Sequence, residues 1–422
     1  MTSTFKRINA FLFAVISTSM LVASSAYAEI SGMIDVRLVS ADDTPTWPYE
    51  GLGKQRFDSE HDGIKLGQAV VDIKGNLTDT ITGKLSFNGY DDRSGFADIT
   101  EAYLQWKPLP FETYQIKVKL GAFYPAISLE NNGVGWTNLW MLSTSAINTW
   151  VGEELRTIGS EFSWKLPGQL NNSPHDFELT YALFTANDPA TSLIAWRGWS
   201  VGDRITGLTE RLPLPYMPDV YGPNSIFNSQ ESYEKAFVEI DHHYGYQIGA
   251  NYGYNNWISV RAFHYDNRGN PTGMHDGQWS WLTTFDHLSL KIDFENNFSL
   301  LAQAMRGNTR WGIPGYGVNA SYDSWYLLGS QSIGAHRFSV RYDKFNMRDK
   351  DHMLGDDNSE DGHSIAATWL FTINNENQVG LEYLKILSTR SGREYLNGLE
   401  DEEAGEEPVT ENTLQLFYRY KF

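Results

Sequence analysis

The sequence predicts an all-β chain, a transmembrane antiparallel β-barrel of about 16 strands with short turns at one end and long loops at the other. Three observations predict it. Apolar and polar residues alternate with period two along most of the chain beyond residue 28. The connections between these stretches alternate in length from one end of the chain to the other. Aromatic residues make up 14% of the chain, yet its mean hydropathy is −0.41. A barrel reconciles the last pair, because only every second strand residue faces lipid.

Composition excludes other classes. The 422 residues carry 33 basic and 52 acidic side chains, a formal charge of −19, which argues against a nucleic-acid partner. With no Cys there is no disulfide framework, zinc finger or iron–sulfur site. A chain this aromatic is not disordered. The only sustained apolar run lies near the N-terminus, so a bundle of membrane helices is excluded.

That run reads as an export signal over residues 1–28. Lys6 and Arg7 supply the positive start, Phe11 to Ala23 the apolar stretch, and Ala26-Tyr27-Ala28 the small-x-small cleavage pattern. Cleavage would remove two basic residues, take the charge from −19 to −21, and leave 29–422 as the barrel.

The strands follow in order. Ile30, Gly32, Ile34, Val36 and Leu38 alternate with Ser31, Met33, Asp35 and Arg37. Short turns fall at Asn76–Asp79, Pro108–Phe111, Asn255-Asn256, Glu295–Asn297, Ile333–Ala335 and Asn374–Asn377, with a medium one at Pro167–Pro174 at the same end. Long connections are read at 41–61, 91–99, 124–154, 186–233, 267–277, 308–322, 350–362 and 390–411. The stretch 234–254 is taken as one long strand bent through His242–Gly245, because splitting it would make the strand count odd. The stretch 278–294 changes face near Asp286–Leu288, which predicts a bulge. Leu414, Leu416, Tyr418, Tyr420 and Phe422 form the outer face of the last strand.

Aromatics near strand ends, including Trp106, Phe123, Tyr124, Tyr252, Tyr254, Trp325, Trp369, Phe371, Tyr383, Tyr418 and Tyr420, predict two interfacial girdles. Polar residues are expected inside: Lys84, Ser86 and Asn88; Gln115, Lys117 and Lys119; Glu178 and Thr180; Arg337, Ser339, Arg341 and Asp343. About sixteen strands enclose more space than side chains fill, so water is expected there.

Several stretches resemble Gram-negative outer-membrane porins, within them the phosphate-selective-porin-like group. Glu101-Ala102-Tyr103-Leu104-Gln105-Trp106 is similar to that group's Ala-Tyr-Leu strand. Leu120 to Glu130 resembles its Gly-x-Phe-x-x-Pro-Phe-x-x-Glu stretch, which opens the third outer loop. Glu153 to Gly159 resembles the Gly-Arg-x-x-Gly stretch closing that loop, and Arg341-Tyr342-Asp343-Lys344-Phe345 an Arg-Tyr-Asp-x-Phe strand. Terminal Phe422 after Tyr420 resembles the outer-membrane assembly signal. The resemblance implies a passive channel for small hydrophilic solutes, a homotrimer, and a third loop (124–154) folded inward as a constriction.

The expected constriction comprises Lys119, Glu130, Trp136, Trp140, Trp150, Glu153, Glu154 and Arg156, facing wall cations Arg306, Arg337 and Arg341. Residues 121–155 contain no Lys or Arg, so the converging cations of an anion trap are missing and a weak cation preference is expected. A second reading uses Trp136, Trp140 and Trp150, with Trp196 and Trp199, as stacking faces for sugars. A third is a surface receptor or adhesin with a closed lumen. Acidic stretches Asp356–Asp361 and Glu400–Glu407 are expected to meet lipopolysaccharide through divalent cations, or to repel anions at the mouth. Leu212 to Pro218 is Pro-rich and cannot pair as a central strand. No Gly-x-Ser-x-Gly, His-Glu-x-x-His or Walker pattern occurs, and adjacent His242 and His243 make a poor chelate. No enzyme activity, cofactor or metal is expected.

Overall fold

The computed structural model describes residues 28–92, 95–225, 227–351, 353, 356–398 and 405–422. Most of the export segment and of the acidic stretch Glu400–Glu407 lies outside the described residues. Sixteen strands close into one barrel in sequence order. They are β1 (Ala28–Ala41), β2 (Gly63–Asn76), β3 (Ile81–Gly89), β4 (Ala97–Trp106), β5 (Gln115–Phe123), β6 (Thr157–Leu166), β7 (His175–Thr185) and β8 (Gly245–Tyr254). The chain continues through β9 (Ile258–Asp266), β10 (Leu282–Asp293), β11 (Phe298–Ile313), β12 (Tyr316–Ile333), β13 (His336–Asp349), β14 (Glu360–Thr372), β15 (Asn377–Arg390) and β16 (Val409–Lys421). β16 pairs antiparallel with β1, so no edge is left for lipid to meet.

The period-two pattern sets which face is which. On β1, Asp35 and Arg37 are buried inside, while Val36 and Leu38 are 38% and 55% exposed outside. On β13, Ser339, Arg341 and Asp343 point in, and Phe338 and Val340 point out. Bulges fall between Asp35 and Val36 and between Ser86 and Phe87.

Four expectations are corrected. Residues 308–322 are not a loop: β11 and β12 run on to a tight turn at 314–315, where Gly315 takes φ +84°. Thr309, Trp311, Val318, Ala320 and Tyr322 keep the inward alternation through this stretch, and its glycines merely mimic loop composition. The strand expected over 234–254 begins only at Gly245; residues 186–244 form one loop, in which 212–213 pairs with 233–234. This loop still joins two adjacent antiparallel strands, so the even count survives. β10 keeps unbroken register with both neighbours, so there is no bulge at Asp286–Leu288. Residues 278–279 belong instead to a small hairpin with 274–275. Finally, Phe123 and Tyr124 are buried rather than interfacial.

Connections at the loop end are L1 (42–62), L2 (90–96), L3 (124–156), L4 (186–244), L5 (267–281), the 314–315 turn, L7 (350–359) and L8 (391–408). L3 and much of L4 are buried. Their Ile147, Trp150, Trp196 and Trp199 pack against inward Phe285, Leu301, Tyr322, Phe345 and Ile386 in one apolar cluster. The lumen is therefore not polar all round. Apolar inward positions on β10–β15 form part of the wall beneath the loops, and burying them helps drive the loops inward.

Candidate pore constriction

L3 crosses the lumen. After β5 it turns at Ser128, whose hydroxyl accepts the N–H of Glu130 and of Asn131 at 3.2 and 3.0 Å. Its next turn presses on β2: Gly135 sits at φ +60°, donates to Asp72 at 3.1 Å, and has no room for a Cβ, which would lie 2.2 Å from Val70 Cγ1. The loop then reaches the opposite wall. Glu382 accepts the N–H of Leu142 and of Ser143 at 2.7 and 2.8 Å. Arg341 donates to the carbonyls of Ser143 and Thr144 at 2.9 and 2.8 Å. Helix α1 (Ala146–Glu154) follows, capped by Ser145.

All three loop carboxylates are consumed by this packing. Glu130 is fully buried, accepts from Asn138, Asn148 and the Ser145 N–H, and lies 3.6 Å from Arg341. Glu153 pairs with Arg197 and accepts from Ser200. Glu154 caps helix α2 (Ser192–Arg197), taking the N–H of Leu193 at 2.9 Å and of Thr191 at 3.2 Å, with the Trp150 indole N–H. Burial raises the proton affinity of Glu130 and Glu153 and pushes Glu154 up to about 7.

The remaining expected residues separate. Arg156 is fully buried and donates to the carbonyls of Thr100, Val151, Gly152, Leu155 and Thr206 and to the Tyr124 hydroxyl. Trp150 lies edge-on to Trp199, Phe285 and Tyr322, and Trp196 packs on Trp279 and Phe227. Trp136 stacks on Tyr124 at 4.3 Å, and Trp140 lies under Arg337 at 4.6 Å and Lys291 at 5.4 Å. Lys119 points inward, 3.6 Å from Glu161. Arg306 is a correction. The inward residues of β11 are Gln303, Met305, Gly307 and Thr309, so Arg306 lies with Ala304 and Asn308 on the outer surface. It cannot face the third loop.

The polar half of the lumen is the β3–β9 side. Lys84 pairs there with Glu101, Lys117 with Glu178 at 3.4 Å, and Lys165 with Asp176 at 3.7 Å. Toward the turn end, a cavity of about 360 Å³ is lined by Lys74, Lys84, Tyr103 and Gln105. Another, about 250 Å³, is lined by Lys165, Glu178, Asn251, Ser259 and Arg261.

Sequence reasoning missed a buried ladder of alternating charge. It runs Arg419–Asp35–Arg37–Asp203–Arg56–Asp92–Arg204–Glu210, with contacts of 2.6 Å (Arg419–Asp35), 2.7 Å (Asp35–Arg37), 3.3 Å (Asp203–Arg56), 2.6 Å (Arg56–Asp92) and 2.9 Å (Asp92–Arg204). Arg37–Asp203 and Arg204–Glu210 complete it. Burial opposes ionisation of Asp203, but Arg37 and Arg56 outweigh it and hold the carboxyl down to about 2. Only the two-residue spacing of Asp35 and Arg37 was visible in sequence. Also missed was Asp188, which brings a carboxylate oxygen within 4.8 Å of Glu239 and Asp241. Each of the three already accepts backbone N–H groups, Asp188 those of Ile240 and Asp241.

No family model matches the chain, and no curated protein matches it. Solved structures do. The outer membrane channel DcaP of Acinetobacter baumannii is similar over 95% of this chain and 98% of that chain, at 10% identity and a TM-score of 0.54. An anion-selective porin from Comamonas acidovorans is similar over 94% of this chain and 100% of that chain, at 11% identity and a TM-score of 0.50. At such identities the likeness is one of fold. With its closed ring of sixteen antiparallel strands, lipid-facing outside and loop-filled inside, the chain has the transmembrane β-barrel fold of outer-membrane channels.

Proposed function

We propose that the protein is a passive outer-membrane channel for small hydrophilic solutes and ions, narrowed by L3 and L4. The observation that supports it is the division of the inner wall. Paired charges on β3–β9 keep partial access to solvent, with Lys117 28% and Lys165 40% exposed, while β10–β15 are sealed under the loops. Solute passes along the charged side, and the acidic balance of the chain gives a weak cation preference. Purified folded protein in planar bilayers tests this. Small, stable conductance steps are expected, with a reversal potential in a salt gradient leaning to cations. No steps would sink the channel reading; clear anion selectivity would refute the ion preference.

The alternative, a closed-lumen receptor, is favoured by the depth of loop burial, and absence of steps would select it. Sugar stacking has less support, since Trp150, Trp196 and Trp199 are at most 2% exposed. Faster liposome swelling with sugars than with amino acids would revive it. The same proposal includes export with cleavage after Ala28, a homotrimer, and contact with outer-membrane lipid and lipopolysaccharide. N-terminal sequencing of mature protein and native mass spectrometry test these points. Kinship with the phosphate-selective-like group rests on the motifs above.

A further inference from the structure

Glu234 lies in L4, in the two-residue strand that pairs with Leu212 and Pro213. It is 1% exposed, and neither carboxylate oxygen accepts a hydrogen bond. Across the loop junction lies fully buried Glu154, at the C-terminal end of α1. Ser192 lies against both, donating to Glu154 at 3.2 Å. Nearby charges do not neutralise Glu234. Arg197 is taken by Glu153, and Arg211 and Lys235 lie over the Tyr233 ring. The Lys235 backbone N–H that approaches Glu234 is bonded to Gln278 at 2.7 Å. Tyr265 and Tyr322 approach Glu154 from the wall.

Glu154 has four donors where Glu234 accepts none, so Glu154 is the first of the two to ionise. Two buried carboxylates at one junction cannot both be charged without a counter-ion. We propose that Glu234 docks as the neutral acid, and that this proton latches L4 onto L3 and keeps the lumen narrow. Burial, reinforced by the Glu154 charge, raises the Glu234 proton affinity well above the usual carboxylate range. In the undocked loop, water would return it to about 4.3. The docked state thus binds one more proton. It is favoured at low pH and lost as pH rises through the docked value. Leaving the junction frees the carboxylate from Glu154 and opens the passage.

The inference rests on the channel reading, and the experiment separates the two. Conductance is recorded from pH 5 to 10 for wild type, Glu234→Gln and the exposed control Glu60→Gln. Wild type and control are expected to gain conductance at least twofold above neutral pH, while Glu234→Gln stays at its low-pH value. Steps that ignore pH, or a pH response retained by Glu234→Gln, overturn the latch and leave the channel standing. If no pH gives steps, hydrogen exchange over residues 206–235 decides. After correction for intrinsic exchange, protection lost at high pH in wild type but kept in Glu234→Gln supports the latch. Equal loss in both overturns it.

Discussion

Arg156 is the place where L3, L4 and the wall are tied together, and its removal has a calculable effect. Three guanidinium nitrogens reach five carbonyls and one hydroxyl. In Arg156→Met the stem is replaced and the donors vanish. Val151 O still accepts the Leu155 N–H and Gly152 O the Thr206 N–H, so neither is orphaned. The loss therefore falls on the carbonyls of Thr100, Leu155 and Thr206, at roughly 1–2 kcal/mol each. The sum, about 3–6 kcal/mol, corresponds to roughly 10²- to 10⁴-fold faster local opening, at a factor of ten per 1.4 kcal/mol. The barrel hydrogen bonds are untouched, so the effect is confined to the loops. Hydrogen exchange of peptides covering 145–156 and 204–208 reads it directly, with β13–β15 as the internal standard. Acceleration in the loops with an unchanged barrel is expected, and Arg156→Lys should fall between the two. Loop exchange within threefold of wild type would refute the tie-down.

Three further expectations follow from the same geometry. Gly135→Ala adds a Cβ 2.2 Å from Val70 Cγ1 at φ +60°; a cost of about 1–3 kcal/mol should lift the L3 turn off β2 and raise conductance, and unchanged conductance with unchanged exchange at 133–137 would refute the contact. Arg306→Ala, on the outer surface, should leave the reversal potential unchanged, whereas Arg337→Ala removes an inward cation over Trp140 and should move it toward cations; equal shifts would contradict the assigned faces. Asp203, held down to about 2, should keep its arginine contacts from pH 7 to pH 4 and lose them only as pH falls through about 2. Protection of residues 200–204 that collapses by pH 4 would show that the ladder does not hold that carboxylate.

How far the sequence could be read depended on the range of the interaction. Strand alternation is local, so β1, β13 and β16 and the seven short turns were legible, and with them the barrel. Gly312, Gly315 and Gly317 look like a loop because glycine marks both a long loop and one tight turn, so the continuation of β11 and β12 was missed. Arg306 was expected inside as a cation, but it shares the outer face of β11 with Ala304 and Asn308. The carboxylates of L3 were visible, but not their partners: Glu130 meets Arg341, and Glu153 meets Arg197, from distant segments. Whether a charge lines water or braces a loop is decided by such contacts, which no spacing encodes. The apolar part of the inner wall was hidden for a related reason. A buried Phe345 or Ile386 and a lipid-facing leucine follow the same period, so the pattern does not say which apolar face turns inward.

The charge ladder begins on β1 and β16, the two strands that meet when the cylinder shuts. Arg37 at that seam is fully buried, and one of its two carboxylate partners, Asp203, belongs to L4. Without L4 this guanidinium keeps only Asp35, which it shares with Arg419. Seam and loop thereby share one charge network. A chain that misplaces L4 leaves Arg37 without Asp203, so the fault is felt at the seam as well as in the lumen.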